Sequence, residues 1–156
     1  MTFNNKGLMS SIKQDWKTPI QFYHKLDVEF NFDFDPCPEN PKFDGLEIEW
    51  GKCNFVNPPY NQIKLWIEKG YNEWKLGKTI VFLVPARTDT QWFHKYLYPY
   101  AELRFIEGRL KFNDGKYSAP FPSMVAILKS RDATAKRCRL QSAQESKNET
   151  RIYNKI

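Results

Sequence analysis

The chain has 156 residues, enough for one compact domain and too few for a second large one. Hydrophobic residues make up 41% and aromatic residues 16%, which excludes wholesale disorder and leaves rings to spare for stacking on flat ligands. The net charge of +6 is uneven: residues 129–156 carry eight Lys/Arg against three Asp/Glu, and the remainder sixteen against fifteen, so no strongly basic face is implied outside the tail.

In chain order, residues 1–14 show no sustained period and read as a flexible N-terminal arm. Thr18 to Leu26 reads as a short helix, capped by Thr18, started by Pro19, and carrying Ile20, Tyr23 and Leu26 on one face. Asn31 to Asp35 alternates aromatic and polar residues and stops at Asp35-Pro36, the pattern of a strand. Pro36 to Gly51 is rich in proline and glycine and reads as loop, and Asn54 to Val56 is a second short strand. Lys64 to Trp74 has helical spacing, with Leu65, Trp66, Ile67, Tyr71 and Trp74 available to face a sheet, and Gly77 ends it. Thr79 to Val84 is a continuous apolar run, the pattern of a strand buried on both faces. Thr90 to Leu97 is expected as a helix, and Leu103 to Ile106 and Ser123 to Leu128 as strands with a turn at Asn113-Asp114-Gly115-Lys116 between them. The domain proper is set at 15–129, and 130–156 is a basic, flexible tail. That tail reads either as sequence-independent attraction to phosphates or as a solvated terminus. The order of elements predicts an α/β sandwich with a mainly parallel sheet and an antiparallel hairpin at its edge.

Cys37, Cys53 and Cys138, with His24 and His94, are too few and too scattered for a disulfide framework or a zinc knuckle, so no metal is expected. No apolar stretch approaches membrane-spanning length and the N-terminus lacks a signal-peptide core, so the expectation is a cytoplasmic protein with no membrane partner.

The chemistry is concentrated at Asn57-Pro58-Pro59-Tyr60, between a strand and a helix, where α/β sheets bind ligands. An amino nitrogen on a planar ring is a poor nucleophile, because its lone pair is delocalised into the ring. The side-chain carbonyl of Asn57 and the main-chain carbonyl of Pro58 are suited to accept its two hydrogens, making the nitrogen more tetrahedral and stabilising positive charge as a methyl group arrives. Pro58 and Pro59 stiffen the loop, and Tyr60 is placed to stack on the base, a contact worth about 1–3 kcal/mol. No cysteine nucleophile is required. Asp35-Pro36-Cys37-Pro38 is an acidic turn at a strand end, suited to the polar groups of a nucleoside cofactor, although no glycine-rich signature follows it. Asp35 reads equally as a turn residue or a helix cap, and Trp16, Thr18 and Pro19 equally as a capped helix with an anchoring tryptophan.

Taken together, Trp16 to Pro19, Phe34 to Cys37, Asp44-Gly45-Leu46 with Trp50, Asn57 to Tyr60, Leu83 to Thr90 with Trp92-Phe93-His94, Gly108 to Phe112, and Ala119 to Ser123 resemble the Dam-like DNA N6-adenine methyltransferases of bacteriophages and prophages. The resemblance spans about Trp16 to Leu128. It implies a Rossmann-like methyltransferase fold, S-adenosylmethionine as methyl donor, double-stranded DNA as partner and a bacterial host cytoplasm as setting. It places Trp16, Thr18, Pro19, Asp35, Pro36 and Cys37 at the cofactor, Asp44 as a ribose contact, and Asn57, Pro58, Pro59 and Tyr60 at the target adenine. Arg87 is a candidate for a DNA phosphate or base edge, or for a structural pairing with Asp89. Arg109, Lys111 and Lys116, in the basic and aromatic stretch from Arg109 to Phe121, either enter a DNA groove or decorate an ordinary edge hairpin. Two rival readings stand beside this one: a methyltransferase acting on cytosine N4, RNA guanine N2 or protein glutamine, and a non-catalytic phage DNA-binding accessory protein. Recognition sequence and oligomeric state are not legible.

Overall fold

The computed structural model describes residues 17–112 and 117–131. The expected arm over 1–14, Trp16, the turn at 113–116 with Lys116, Cys138 and the tail from 132 onward lie outside these residues.

The first helix, α1, is Ile20–Phe30, shifted toward the C-terminus of the predicted span. Pro19 stands at its N-cap, and its carbonyl accepts from the amides of Phe22 and Tyr23 at 3.0 Å each. Thr18 does not cap the helix, because its hydroxyl is engaged by Asn57 across 39 residues of sequence. The helix ends where Asn31 adopts a left-handed conformation (φ 53°), which asparagine tolerates better than most residues. The predicted strand over 31–35 reduces to a single parallel bridge between Phe34 and Asn54. The Asp33 carboxylate captures the amides of Lys52 and Cys53 at 3.2 and 3.0 Å, and this side-chain acceptor displaces a longer main-chain ladder.

Strand β1 is Cys53–Val56, followed by the Asn57–Pro59 loop, a 3-10 turn over Tyr60–Gln62, helix α2 at Ile63–Lys75 and strand β2 at Thr79–Pro85. β1 and β2 pair in parallel, from Cys53 opposite Thr79 to Val56 opposite Phe82, with α2 as the crossover. The predicted helix over 90–97 is centred on a π-helical turn, Phe93–Leu97. Its wider winding carries Trp92, Phe93, Tyr96 and Leu97 into the core together. Strand β3 (Glu102–Phe105), the small hairpin β4 (Lys111–Phe112) and β5 (Tyr117–Ser118), and strand β6 (Ser123–Leu128) complete the chain.

The main sheet has the order β1-β2-β6-β3, and β6 runs antiparallel to both of its neighbours. A mainly parallel sheet is therefore not what forms: one ladder is parallel and two are antiparallel. The physical cause is a single insertion. β1, β2 and β3 all point the same way, and the reversed β6 lies between β2 and β3, so one strand converts two pairings. The expected antiparallel pairing of β3 with β6 is present, but β6 is interior and only β3 is at the edge.

Every residue of β2 is buried, as its unbroken apolar run predicts. Ile80, Phe82 and Val84 face α2 and the π-helical turn, whereas Val81 and Leu83 face Leu26 of α1 and the Leu110, Phe112 and Ala119 side chains around the hairpin. The result is three layers around one sheet. Among the described residues, no helix is long and apolar enough to cross a membrane.

Candidate active site

Because β1, β2 and the Phe34 segment share a direction, Asp35, Asn57 and Arg87 all leave the sheet at the same edge. A cavity of about 460 Å³ opens there, between the start of α1, the turn at Asp35 and the loop after β1. That volume lies within the roughly 300–1,000 Å³ of small-molecule sites. Tyr23, Phe55 and Trp66 supply aromatic walls, and Thr18, Asp35 and Asn57 the polar groups. Tyr23 and Phe55 meet edge to face at 5.1 Å, and Trp66 stacks on Trp50 at 6.1 Å. At the rim, the exposed Lys17 and Glu39 approach to 3.6 Å.

Asn57 is the first residue beyond β1 and donates through Nδ2 to Thr18 Oγ1 at 3.0 Å. An amide held by its nitrogen presents its oxygen on the opposite side, so Thr18 orients Asn57. Pro58 is buried and lies outside the cavity lining, while Pro59 (φ −64°, ψ 133°) lines it. Tyr60 begins the 3-10 turn, half-buried and outside the lining, and burial pushes its phenol up to about 12.

The turn after Phe34 is closed by Asp35, whose Oδ1 accepts from the Cys37 amide at 2.8 Å. Burial raises the Asp35 carboxyl to about 6, and that hydrogen bond lowers it only in part. Cys37 also lines the cavity, but burial first and the Asp35 charge second push its thiol up to about 12. It is therefore a neutral wall at neutral pH, in keeping with chemistry that uses no cysteine nucleophile. Pro36 is buried behind the turn.

The structure thus brings Thr18, Asp35, Cys37, Asn57 and Pro59 around one cavity. It does not bring Asp44 there. Asp44 is exposed, and its carboxylate and carbonyl accept from the amides of Leu46 and Glu47 in a local turn. Pro19 serves as the α1 N-cap rather than lining the cavity. Sequence reasoning missed Tyr23, Phe55 and Trp66, because aromatic residues at helix and strand spacing look alike whether they face a core or a cavity.

A family profile described as DNA N-6-adenine-methyltransferase (Dam) matches residues 6–150. The chain belongs to the Dam family. Its activity is methylation of adenine N6 in DNA, which selects adenine over the cytosine, guanine and glutamine acceptors that Asn-Pro-Pro-Tyr would also serve chemically. No curated protein and no solved structure matches the chain.

In this Dam-family chain the remaining candidate residues sit on the same side of the sheet edge but outside the cavity. Arg87 is exposed, lies 3.7 Å from Asp89, and its guanidinium rests 5.3 Å from the Phe121 ring centroid. The segment is held by Ala86 N donating to the Pro122 carbonyl at 2.7 Å, by Thr90 Oγ1 donating to the Arg87 carbonyl at 2.7 Å, and by contact of His94 Nε2 with the Thr88 carbonyl at 2.8 Å. The pairing with Asp89 is therefore present, as a surface contact that still leaves the guanidinium face toward solvent. Arg109 and Lys111 are exposed, near Gly108 with its left-handed φ of 73°.

Proposed function

We propose that this enzyme uses S-adenosylmethionine bound in the cavity between Asp35 and Asn57, on a Rossmann-like sheet, and methylates adenine within a specific sequence of double-stranded DNA. The observation that carries the reading is the convergence of two strand-end loops, Asp35-Pro36-Cys37 and Asn57-Pro58-Pro59, on one aromatic-walled cavity. Ligands of α/β sheets bind beyond the carboxyl ends of strands, and both loops occupy that position.

The residues present fit an adenosyl cofactor. Tyr23, Phe55 and Trp66 offer rings to a flat base, and Asp35 offers a carboxylate to hydroxyls or to positive charge. When bound, the cofactor supplies an electrophilic methyl group on a sulfonium. Asp35, Thr18 and Trp66 hold it within the cavity. We also assign supporting places in the cofactor loops to Trp16, Pro19, Pro36 and Cys37.

The target adenine is read as flipped from the duplex, since its amino group is out of reach inside the stack. The Asn57 side-chain oxygen and the Pro58 carbonyl accept the two N6 hydrogens, localise the lone pair on nitrogen, and stabilise the positive charge that builds as the new N–C bond forms. Thr18 holds the Asn57 amide in the orientation that this requires. Pro58 and Pro59 keep the loop from relaxing, and Tyr60 stacks on the extruded base. Arg87, backed by the Phe121 ring, contacts the DNA backbone or a base edge with Arg109, Lys111 and Lys116. The setting that we infer is a bacterial cytoplasm, with a phage or prophage gene as the source.

The direct test is incubation of the protein with unmethylated DNA and tritiated S-adenosylmethionine, followed by nucleoside analysis. Label should appear in N6-methyladenine. Asn57→Ala should lower turnover about 10²–10³-fold, the usual cost of removing one transition-state hydrogen bond, with an unchanged melting curve. An Asn57→Ala protein of wild-type activity would remove the loop from the mechanism.

A further inference from the structure

Trp66 is 6% exposed and lines the cavity, yet its indole Nε1 is buried without a hydrogen-bond partner among the described residues. A buried N–H without an acceptor is disfavoured enough that native proteins rarely keep one, and its presence beside a cavity asks for an acceptor that arrives with a ligand. The neighbouring tryptophan shows the contrast: Trp50, on which Trp66 stacks, donates its own Nε1–H to the Gly45 carbonyl at 2.6 Å. Trp66 is also fixed in place. It packs in the core of α2 and β2, and a Cβ on Gly45 would stand 2.7 Å from its Cη2, so the indole has little room to rotate away.

The donor has a definite chemistry. An indole N–H is neutral and cannot accept, so it suits a neutral acceptor lying in the plane of a flat ring. Carboxylates and phosphates would be better served by Lys17 at the exposed rim. The aromatic walls at Tyr23 and Phe55 favour a heteroaromatic guest over an aliphatic one.

We infer that Trp66 is a ligand-recognition residue whose indole N–H donates to a ring nitrogen of an adenine held in this cavity. The inference rests on the reading of the cavity as the site of methyl transfer. Two adenines are available to such an enzyme, that of the adenosyl cofactor and that of the DNA target, and both carry the same acceptor nitrogens.

Trp66→Phe separates the possibilities, because phenylalanine keeps an aromatic ring and deletes the donor. Binding of S-adenosylhomocysteine and of an adenine-containing duplex would each be measured by calorimetry on wild type and variant, alongside the melting temperature without ligand. The expected result is affinity about tenfold weaker for one of the two ligands, the size of one hydrogen bond. The free protein should melt at or above the wild-type temperature, since an unsatisfied donor has been removed. Weaker S-adenosylhomocysteine binding assigns the cofactor's adenine, and weaker duplex binding assigns the target's. For the adenosyl arm, analogues with N1, N3 or N7 replaced by C–H should include one that wild type binds about tenfold worse and that Trp66→Phe does not discriminate. Unchanged affinity for both ligands would overturn the inference, and so would equal loss of both with a lowered melting temperature. If wild type binds no S-adenosylhomocysteine at all, the cofactor reading of the cavity fails, and the duplex arm still decides the role of Trp66.

Discussion

Asp35 shows how one side chain can serve a ligand at the expense of the fold. Its carboxyl is raised to about 6 by burial, against an unfolded value near the ordinary aspartate range of about 4. Between those two values the folded state binds more protons than the unfolded one, so the contribution to stability falls as pH rises through that window. The same ionisation gives the cavity a negative charge for a cationic ligand. Asp35→Asn keeps an Oδ1 acceptor for the Cys37 amide and deletes the charge. It should stabilise the ligand-free protein by about 1–3 kcal/mol at pH 8, with the gain vanishing near pH 4. Urea unfolding midpoints across that range would show it, and a gain independent of pH would contradict it. The residues around Asp35 also show what a sequence reveals about a site. Asp35, Cys37, Asn57 and Pro59 were legible because an acidic residue or a proline directly after a strand leaves a local mark. Thr18 was assigned to the right place through its neighbours, but its capping preference was overruled by Asn57, a contact that no local window contains. Asp44 failed for the converse reason: a short carboxylate two residues from an amide closes its own turn.

At the scale of elements, the catalytic loop is held by the helix that follows it. α2 lies close enough to β2 that Gly70 has no room for a side chain, with Phe82 Cζ 2.3 Å and Trp50 Cζ3 3.1 Å from where a Cβ would stand. Its far end is fastened by the buried Glu73, which pairs with Lys69 and Lys78 at 2.6 Å each. Burial alone would raise the Glu73 carboxyl, and the two lysines outweigh it and hold it below the ordinary range. Gly70→Ala should therefore tilt α2 off the sheet, destabilising the protein by about 1–3 kcal/mol and disturbing Trp66 and the Asn57 loop together. Chemical denaturation would measure the first effect and S-adenosylhomocysteine affinity the second. A variant as stable as wild type would mean that Phe82 can move aside. The helical spacing of Ile63 to Lys75 was visible in sequence, and so was the apolar run of β2. The π-helical turn was not, because hydrophobic spacing at 92, 93, 96 and 97 fits an ordinary helix equally well.

For the whole molecule, the order of the strands was the least legible property. Each strand could be found from its own residues, but which strands are neighbours depends on contacts between distant segments. β2 pairs with β6 across roughly forty residues, from Pro85 opposite Ser123 to Ile80 opposite Leu128. The charges that tie the outer face together are equally distant in sequence. Arg104 of β3 forms a bidentate pair with Glu29 of α1 at 2.7 Å and also reaches Glu102 at 2.6 Å, while Lys129 pairs with Glu102 from the end of β6. The hydrogen bond with Arg104 holds the Glu29 carboxyl below its ordinary range. That part of the stability is present at neutral pH and is lost as pH falls below the carboxylate range, the opposite sign from Asp35.

The reversed strand between β2 and β3 also sets the order of events on the ribosome. Until β6 emerges, the hydrogen-bonding edge of β2 has no partner and β3 has no sheet to join. Synthesis must therefore pass Leu128 before the central strand is covered on both sides. Nascent chains arrested with only the first 110 residues exposed should be cut readily by protease, and those exposing residues beyond Leu128 should resist. Protection at the shorter length would show that the parallel β1–α2–β2 unit folds by itself. Without such early folding, the enzyme reaches its native state late in its own synthesis, and until then one of its most apolar strands stays open to pairing with other chains.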